Sequence, residues 1–243
     1  MEKTLDGLDG CVVRSNPDID NPLFSYFKNN KKRCVFKWLH YFDVYHNHFR
    51  RFRNKPVSVL EIGVWKGGSL QMWREYFGPK SKIYGIDIDP KNAFSEEGIK
   101  IFTGDQSDSS FLKKVISEVG AFDVIIDDGS HVSNHQIASF EKLYSAMSDT
   151  GVYLVEDVHC SYFSEYGGGY NNPNSFLEYS KKMIDCLNLW FLKHNDNQGG
   201  MEERSLTDNM VTLTTTGIHF YDSMVVFERC PRSKKPCSMQ IGK

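Results

Sequence analysis

The chain has 243 residues, 40% of them hydrophobic and 25% charged, with 29 basic against 31 acidic side chains and a formal net charge of −2. It is long enough for one large domain with additions, and so balanced a charge leaves no electrostatic footprint for nucleic acid. No apolar stretch approaches the roughly 18 residues of a membrane span and the opening Met-Glu-Lys-Thr-Leu-Asp has no signal-peptide core, so a cytoplasmic protein is expected.

Residues 1–22 are rich in Asp, Asn, Gly and Pro and read as an irregular arm. Trp38, Tyr41, Phe42, Tyr45, Phe49 and Phe52 then recur at steps of three and four, the pattern of a helix face packed on a sheet. Aromatic residues between the basic stretches Lys28 to Lys37 and Arg50 to Arg53 could also stack on RNA, a reading that the overall charge disfavours. From Pro56 strands and helices alternate. Val57 to Ile62, Lys82 to Asp87, Ile99 to Phe102, Phe122 to Ile126 and Val152 to Val155 read as strands. Ser69 to Phe77, Ser110 to Val119 and Gln136 to Met147 read as the intervening helices, the second with Asp108, Ser109 and Ser110 as candidate caps. Beyond these come a glycine-rich aromatic loop, Ser161 to Asn174, a helical pattern over Ser175 to Lys193, and a polar, mobile stretch from His194 to Asp208. Two strand-like pieces around Asp222-Ser223 suggest an antiparallel hairpin, followed by a basic, frayed tail from Pro231. The order predicts an α/β fold: a doubly wound, Rossmann-like, seven-stranded sheet, mostly parallel, with a C-terminal antiparallel hairpin.

In such a sheet the ligand crevice lies beyond the carboxyl ends of the strands. Phe122-Asp-Val-Ile-Ile-Asp-Asp-Gly-Ser-His131 is an apolar run ending in two carboxylates, a glycine, a hydroxyl and an imidazole, and Gly151-Val-Tyr-Leu-Val-Glu-Asp-Val-His159 repeats the plan. Two carboxylate-tipped strands suggest a divalent metal, a cofactor, or both. The turn Glu61-Ile-Gly-Val-Trp-Lys-Gly-Gly-Ser69 would let a cofactor approach the backbone and the helix N-terminus, though Gly63, Gly67 and Gly68 are out of register with the dinucleotide fingerprint. Asp87 stands where a ribose-binding carboxylate would end the second strand, a spacing compatible with a nicotinamide cofactor too. Glu61 within the turn would repel a pyrophosphate but could receive the cationic amino-acid end of S-adenosylmethionine. Asp105 and Gln106 at the third strand tip add an acid and an amide where adenine would lie.

The six cysteines are scattered without a C-x-x-C pair and read as reduced thiols; Cys160, beside His159 at a strand tip, is a candidate nucleophile set against a small buried hydrophobe. No His/Cys spacing suits zinc.

Glu61-Ile-Gly63, Tyr84-Gly-Ile-Asp-Ile-Asp89, Gly104-Asp105, Asp127-Asp-Gly-Ser-His131, Gly151-x-Tyr-x-x-Glu-Asp157 and Ser161-Tyr162 together resemble the metal-dependent sugar O-methyltransferases of the mycinamicin and demethylmacrocin type. The resemblance runs from about Trp38 to Arg229 and includes Ile218-His-Phe-Tyr-Asp222; cephalosporin hydroxylase-like proteins share part of it. It implies a class I methyltransferase domain over 56–230 with a substrate loop at 161–175, preceded by an arm and aromatic helix over 1–55 and followed by a tail over 231–243. It implies S-adenosylmethionine and Mg²⁺ (or Mn²⁺) as cofactors, with Asp128, Glu156 and Asp157 as metal ligands and His131 as general base. Glu61, Gly63, Ser69, Asp87, Asp105 and Gln106 fall to the cofactor, with Asp127 facing either the cofactor or the interior; His135 and His159 are weaker candidates for the base. The acceptor it implies is a sugar hydroxyl of a glycoside or glycan, a catechol or other vicinal diol being the alternative. A cofactor-binding protein without catalysis and an NAD-dependent oxidoreductase are the remaining readings, opposed by His131 and by Glu61. The aromatic segment before Pro56 could serve a contact in a homo-oligomer.

Overall fold

A computed structural model describes residues 20–191 and 209–242. Residues 1–19 of the arm expected over 1–22, and the whole polar stretch expected over 194–208, lie outside the described residues. Five parallel strands form the frame: β1 (Ser58–Ile62), β2 (Lys82–Asp87), β3 (Ile99–Thr103), β4 (Phe122–Asp127) and β5 (Met147–Val155). The hairpin of β6 (Thr215–Tyr221) and β7 (Met224–Arg229) turns at Asp222–Ser223 and joins β5 antiparallel. The spatial order β3-β2-β1-β4-β5-β7-β6 completes the doubly wound sheet of seven strands that the sequence predicts. Its winding direction reverses between β1 and β4, and this reversal opens a crevice over their carboxyl ends.

Both faces of the sheet are covered, which is why its central strands read as unbroken apolar runs. Val124 and Ile126 of β4 face one layer, built from α1 (Pro22–Asn29), α2 (Tyr41–Phe49) and α3 (Gly68–Phe77). Phe122 and Ile125 face the other, built from α4 (Ser109–Val119), α5 (Ser133–Leu143) and α6 (Phe176–Asn188), with the short α7 (Met210–Thr214) beside it. The aromatic stripe before Pro56 packs against α3, the Tyr45 ring meeting that of Trp73 edge-on at 5.0 Å. Caps fix the helix starts: the Asn21 side chain accepts from the amides of Leu23 and Phe24, and Asp108 accepts from those of Ser110 and Phe111.

Three expectations are corrected. Trp38, assigned to the buried stripe, precedes α2 and is 51% exposed, because its indole turns to a carboxylate described below. α1 begins inside what reads as irregular chain, since Asn21 and Pro22 form a helix start. Met147, read as the end of a helix, opens β5: the helix stops at Leu143, a 3₁₀ turn covers Tyr144–Ala146, and Met147 pairs with Phe122 before a register shift. Among the described residues, no helix is long and apolar enough to cross a membrane. The five described cysteines are free; Cys160 is buried, and burial pushes its thiol up to about 11, which favours the small buried hydrophobe over the nucleophile.

Candidate functional site

The carboxyl ends of β1 to β5 surround a cavity of about 710 Å³. Gly63 follows β1 there, Asp87 ends β2, Asp105 and Gln106 follow β3, Asp128 and His131 follow β4, and Glu156 and Asp157 follow β5. The segment Phe36–Trp38, which enters from outside the sheet, forms another part of the wall. Glu61 and Ser69, expected on the cofactor side, and Asp127, expected to face either the cofactor or the interior, are buried and lie behind this wall.

On the β1–β3 side the wall is stiffened by its own hydrogen bonds. Asp87 Oδ2 accepts from the amides of Val64 and Trp65, both at 2.9 Å, and Oδ1 from the Asp89 amide and the Asn92 side chain at 2.9 and 3.1 Å. One carboxylate thus ties the β1 turn to the end of β2. The glycines expected to admit a cofactor admit the chain itself. Gly63 has φ +92°, and a Cβ on it would lie 2.0 Å from the Asp128 carbonyl oxygen; one on Gly68 would lie 2.2 Å from that of Cys34. Gln106 accepts from the Ser130 amide at 2.8 Å and donates to Asp127 at 3.1 Å. Asp127 is fully buried and also accepts from the hydroxyls of Ser139 and Tyr153, so it faces the interior. Burial pushes its carboxyl up to about 6, against the pull of those donors.

The β4–β5 side is acidic and centres on a residue that the sequence reading passed over. Lys37, its side chain 2% exposed, places Nζ at 2.5 Å from Asp128 Oδ2, 3.0 Å from both oxygens of Glu156 and 3.3 Å from Glu61 Oε1. Glu61 is held from its other side by the Ser69 hydroxyl at 2.5 Å. Burial raises the carboxyls of Asp128, Glu156 and Glu61. It also opposes the charge on Lys37, but the surrounding carboxylates outweigh it and hold the ammonium well above its ordinary range. With all three acids ionised, three negative charges face one positive charge.

Asp157 adopts φ +52° at the end of β5. Its Oδ1 accepts from the Tyr41 hydroxyl at 2.7 Å and the Trp38 indole at 3.1 Å, and its Oδ2 lies 3.6 Å from His131 Nε2. His131 is itself left-handed at φ +59°, and its Nδ1 is buried without a hydrogen-bond partner among the described residues. Donor atoms of Asp128, His131 and Asp157 lie within 4.8 Å of one another, whereas Glu156, expected with the two aspartates, turns to Lys37. The carboxylate oxygens of Asp128 and Asp157 are donors that suit a hard divalent cation, and the cavity has the size of a cofactor site. His135 also lines the cavity, its Nδ1 3.0 Å from the Ser130 hydroxyl, while His159 is engaged by Ser223. The loop after β5 folds on itself, the amides of Gly168 and Gly169 donating to the carbonyls of Phe163 and Ser161, with the Tyr166 ring 6.3 Å from that of His131.

Lys37, Trp38 and Tyr41 are the site residues missed from sequence. The available signal was a lone charge inside Val35-Phe36-Lys37-Trp38-Leu39.

No family model matches the chain. It is 34% identical over 234 residues, 91% of its length, to the mycinamicin VI 2''-O-methyltransferase of Micromonospora griseorubida, of which it covers 55%. It is 32% identical over 242 residues, 94% of its length, to the demethylmacrocin O-methyltransferase of Streptomyces fradiae, of which it covers 57%. The chain therefore spans about half the length of the curated relatives it matches. Among solved structures, the MycE methyltransferase of the mycinamycin biosynthetic pathway in complex with Mg, SAH and mycinamycin VI superposes with a TM-score of 0.73 over 92% of this chain and 56% of that one, at 32% identity.

Proposed function

We propose that this chain, a relative in sequence and in fold of the sugar O-methyltransferases, methylates a sugar hydroxyl of a glycoside or glycan with S-adenosylmethionine as donor and a divalent metal ion at the acceptor. The observation that carries the reading is the sharing of one cavity by two chemistries. Asp87, Asp105 and Gln106 line it on one side, and Asp128, His131, Glu156 and Asp157 on the other.

A bound sulfonium would supply the methyl group, and a bound Mg²⁺ or Mn²⁺ would lower the pKa of the acceptor hydroxyl. The residues that would hold the metal are Asp128, Glu156 and Asp157. Asp87 is assigned to the ribose hydroxyls and Asp105 and Gln106 to the adenine side, while Gly63, Glu61 and Ser69 shape the turn beside them. His131 takes the acceptor proton. Its Nδ1 is closed off from solvent, so Nε2, beside Asp157, is the nitrogen free to exchange a proton. The 161–175 loop, with Tyr166 close to His131, is assigned to the acceptor.

Calorimetry with S-adenosylhomocysteine and with NAD, each with and without Mg²⁺, tests the cofactor, and methyl transfer from labelled S-adenosylmethionine to a panel of glycosides and catechols tests the acceptor. Tight S-adenosylhomocysteine binding and EDTA-sensitive labelling of a glycoside are expected. Preference for NAD, labelling of catechols alone, or full turnover after EDTA treatment would overturn the corresponding part.

A further inference from the structure

Lys37 already occupies the carboxylates assigned to the metal. Its Nζ is equidistant, at 3.0 Å, from the two oxygens of Glu156 and closer still to Asp128, so the ammonium sits astride Glu156 as a chelated ion would. A divalent ion bound by Asp128 and Glu156 would meet the positive charge of Lys37, which is buried with Glu156 and so only weakly screened by water. The chain supplies a second seat for that charge. Glu61 is fully buried, lies off the cavity wall, is anchored by Ser69 and already stands 3.3 Å from Nζ.

We propose that metal loading is a cation exchange: the divalent ion displaces Lys37 from Asp128 and Glu156, and Lys37 retires onto Glu61. Lys37 is then a resident cation that offsets the mutual repulsion of the buried acids in the metal-free protein and sets how readily the site fills. Glu61, whose buried position makes it a poor cofactor contact, is its retreat. The inference rests on the assignment of Asp128 and Glu156 to the metal. It makes two residues that are both internal and both charged act in opposite directions on metal affinity, which a purely structural role for either would not do.

The test is direct Mn²⁺ binding, read from the loss of the free-ion electron paramagnetic resonance signal, on the full chain without cofactor or acceptor. Outer-shell groups shift metal affinity by about 10–100-fold, and effects of that size are expected here in both directions. Lys37→Met and Lys37→Gln should bind Mn²⁺ about tenfold more tightly than the parent, and Glu61→Gln about tenfold more weakly. Where Lys37→Met is unstable without metal, the same exchange is read from melting temperature, which Mn²⁺ should raise more in the variant than in the parent. Equal affinities in parent and Lys37 variants, or weaker binding in both Lys37 and Glu61 variants, would overturn the exchange while leaving the metal site standing. No Mn²⁺ binding by any form would remove the metal site itself.

Discussion

The Tyr41 hydroxyl donates to Asp157 Oδ1 at 2.7 Å and receives the Asp157 backbone amide at 3.2 Å, so one phenol holds both the side chain and the main chain of a left-handed residue. A non-glycine residue in that conformation costs about 1–3 kcal/mol and persists only where its surroundings impose it. Tyr41 lies on α2, outside the sheet, and gives the aromatic helix a part in the site beyond packing.

Tyr41→Phe keeps the buried ring and removes both hydrogen bonds to Asp157, along with the one to the Ser223 carbonyl at 3.3 Å. Mn²⁺ affinity should fall by about 10–100-fold, the scale of losing a group that orients a metal ligand, with little change in S-adenosylhomocysteine affinity. Unchanged Mn²⁺ binding in this variant would show that Asp157 needs no such support.

Asp87 carries four donors from its own chain, so its removal should loosen the β1 turn as well as any ribose contact. Asp87→Ala is expected to weaken S-adenosylhomocysteine binding by roughly 1.5–3 kcal/mol, as for hydrogen bonds to a charged group. A 2′-deoxy analogue separates the two effects. If the carboxylate meets the ribose, the analogue loses affinity for the parent protein and not for the variant; equal losses in both would confine Asp87 to the turn.

The sheet was legible because its strands are covered on both faces, so Val124-Ile-Ile126 and Val152-Tyr-Leu-Val155 form runs that no solvent-facing alternation interrupts. The acidic strand tips were legible because they end those runs abruptly. What could not be read was which way each carboxylate turns. Asp127 and Asp128 are adjacent, but the alternation of a strand sends the first to Ser139 and Tyr153 in the interior and the second to the cavity. Lys37 escaped for a different reason: it reaches Glu156 across 119 positions of sequence, and no local period encodes such a contact.

Asp127 makes a prediction about pH. Its folded carboxyl, raised by burial to about 6, binds a proton more tightly than the unfolded one, so the stability it contributes is full below the unfolded pKa and is lost as pH rises through 6. At 1.36 kcal/mol per pKa unit, a shift of about two units corresponds to about 3 kcal/mol lost between pH of about 4 and 6. Asp127→Asn cannot ionise and should show a flatter fall of unfolding free energy over that window in denaturant titrations. Parallel pH curves for the parent and the variant would place the titration on other groups.

His131 lies off the Lys37 cluster but beside Asp157, three residues beyond Asp128, where the proposed function assigns it the acceptor proton. Its ring is held by an unusual backbone, with φ +59° and Nδ1 sealed from water, so a positioned base is a better account of it than a surface histidine. His131→Ala should retain S-adenosylhomocysteine affinity while losing about 10²–10⁴-fold in turnover, with the loss concentrated in kcat because the missing interaction belongs to the transition state. Asp157→Asn provides the contrast: it should weaken Mn²⁺ binding first and turnover through it, so saturating metal should recover part of its rate and none of that of His131→Ala. Near-normal kcat in His131→Ala at neutral pH would pass the proton to another acceptor and leave His131 a structural turn residue.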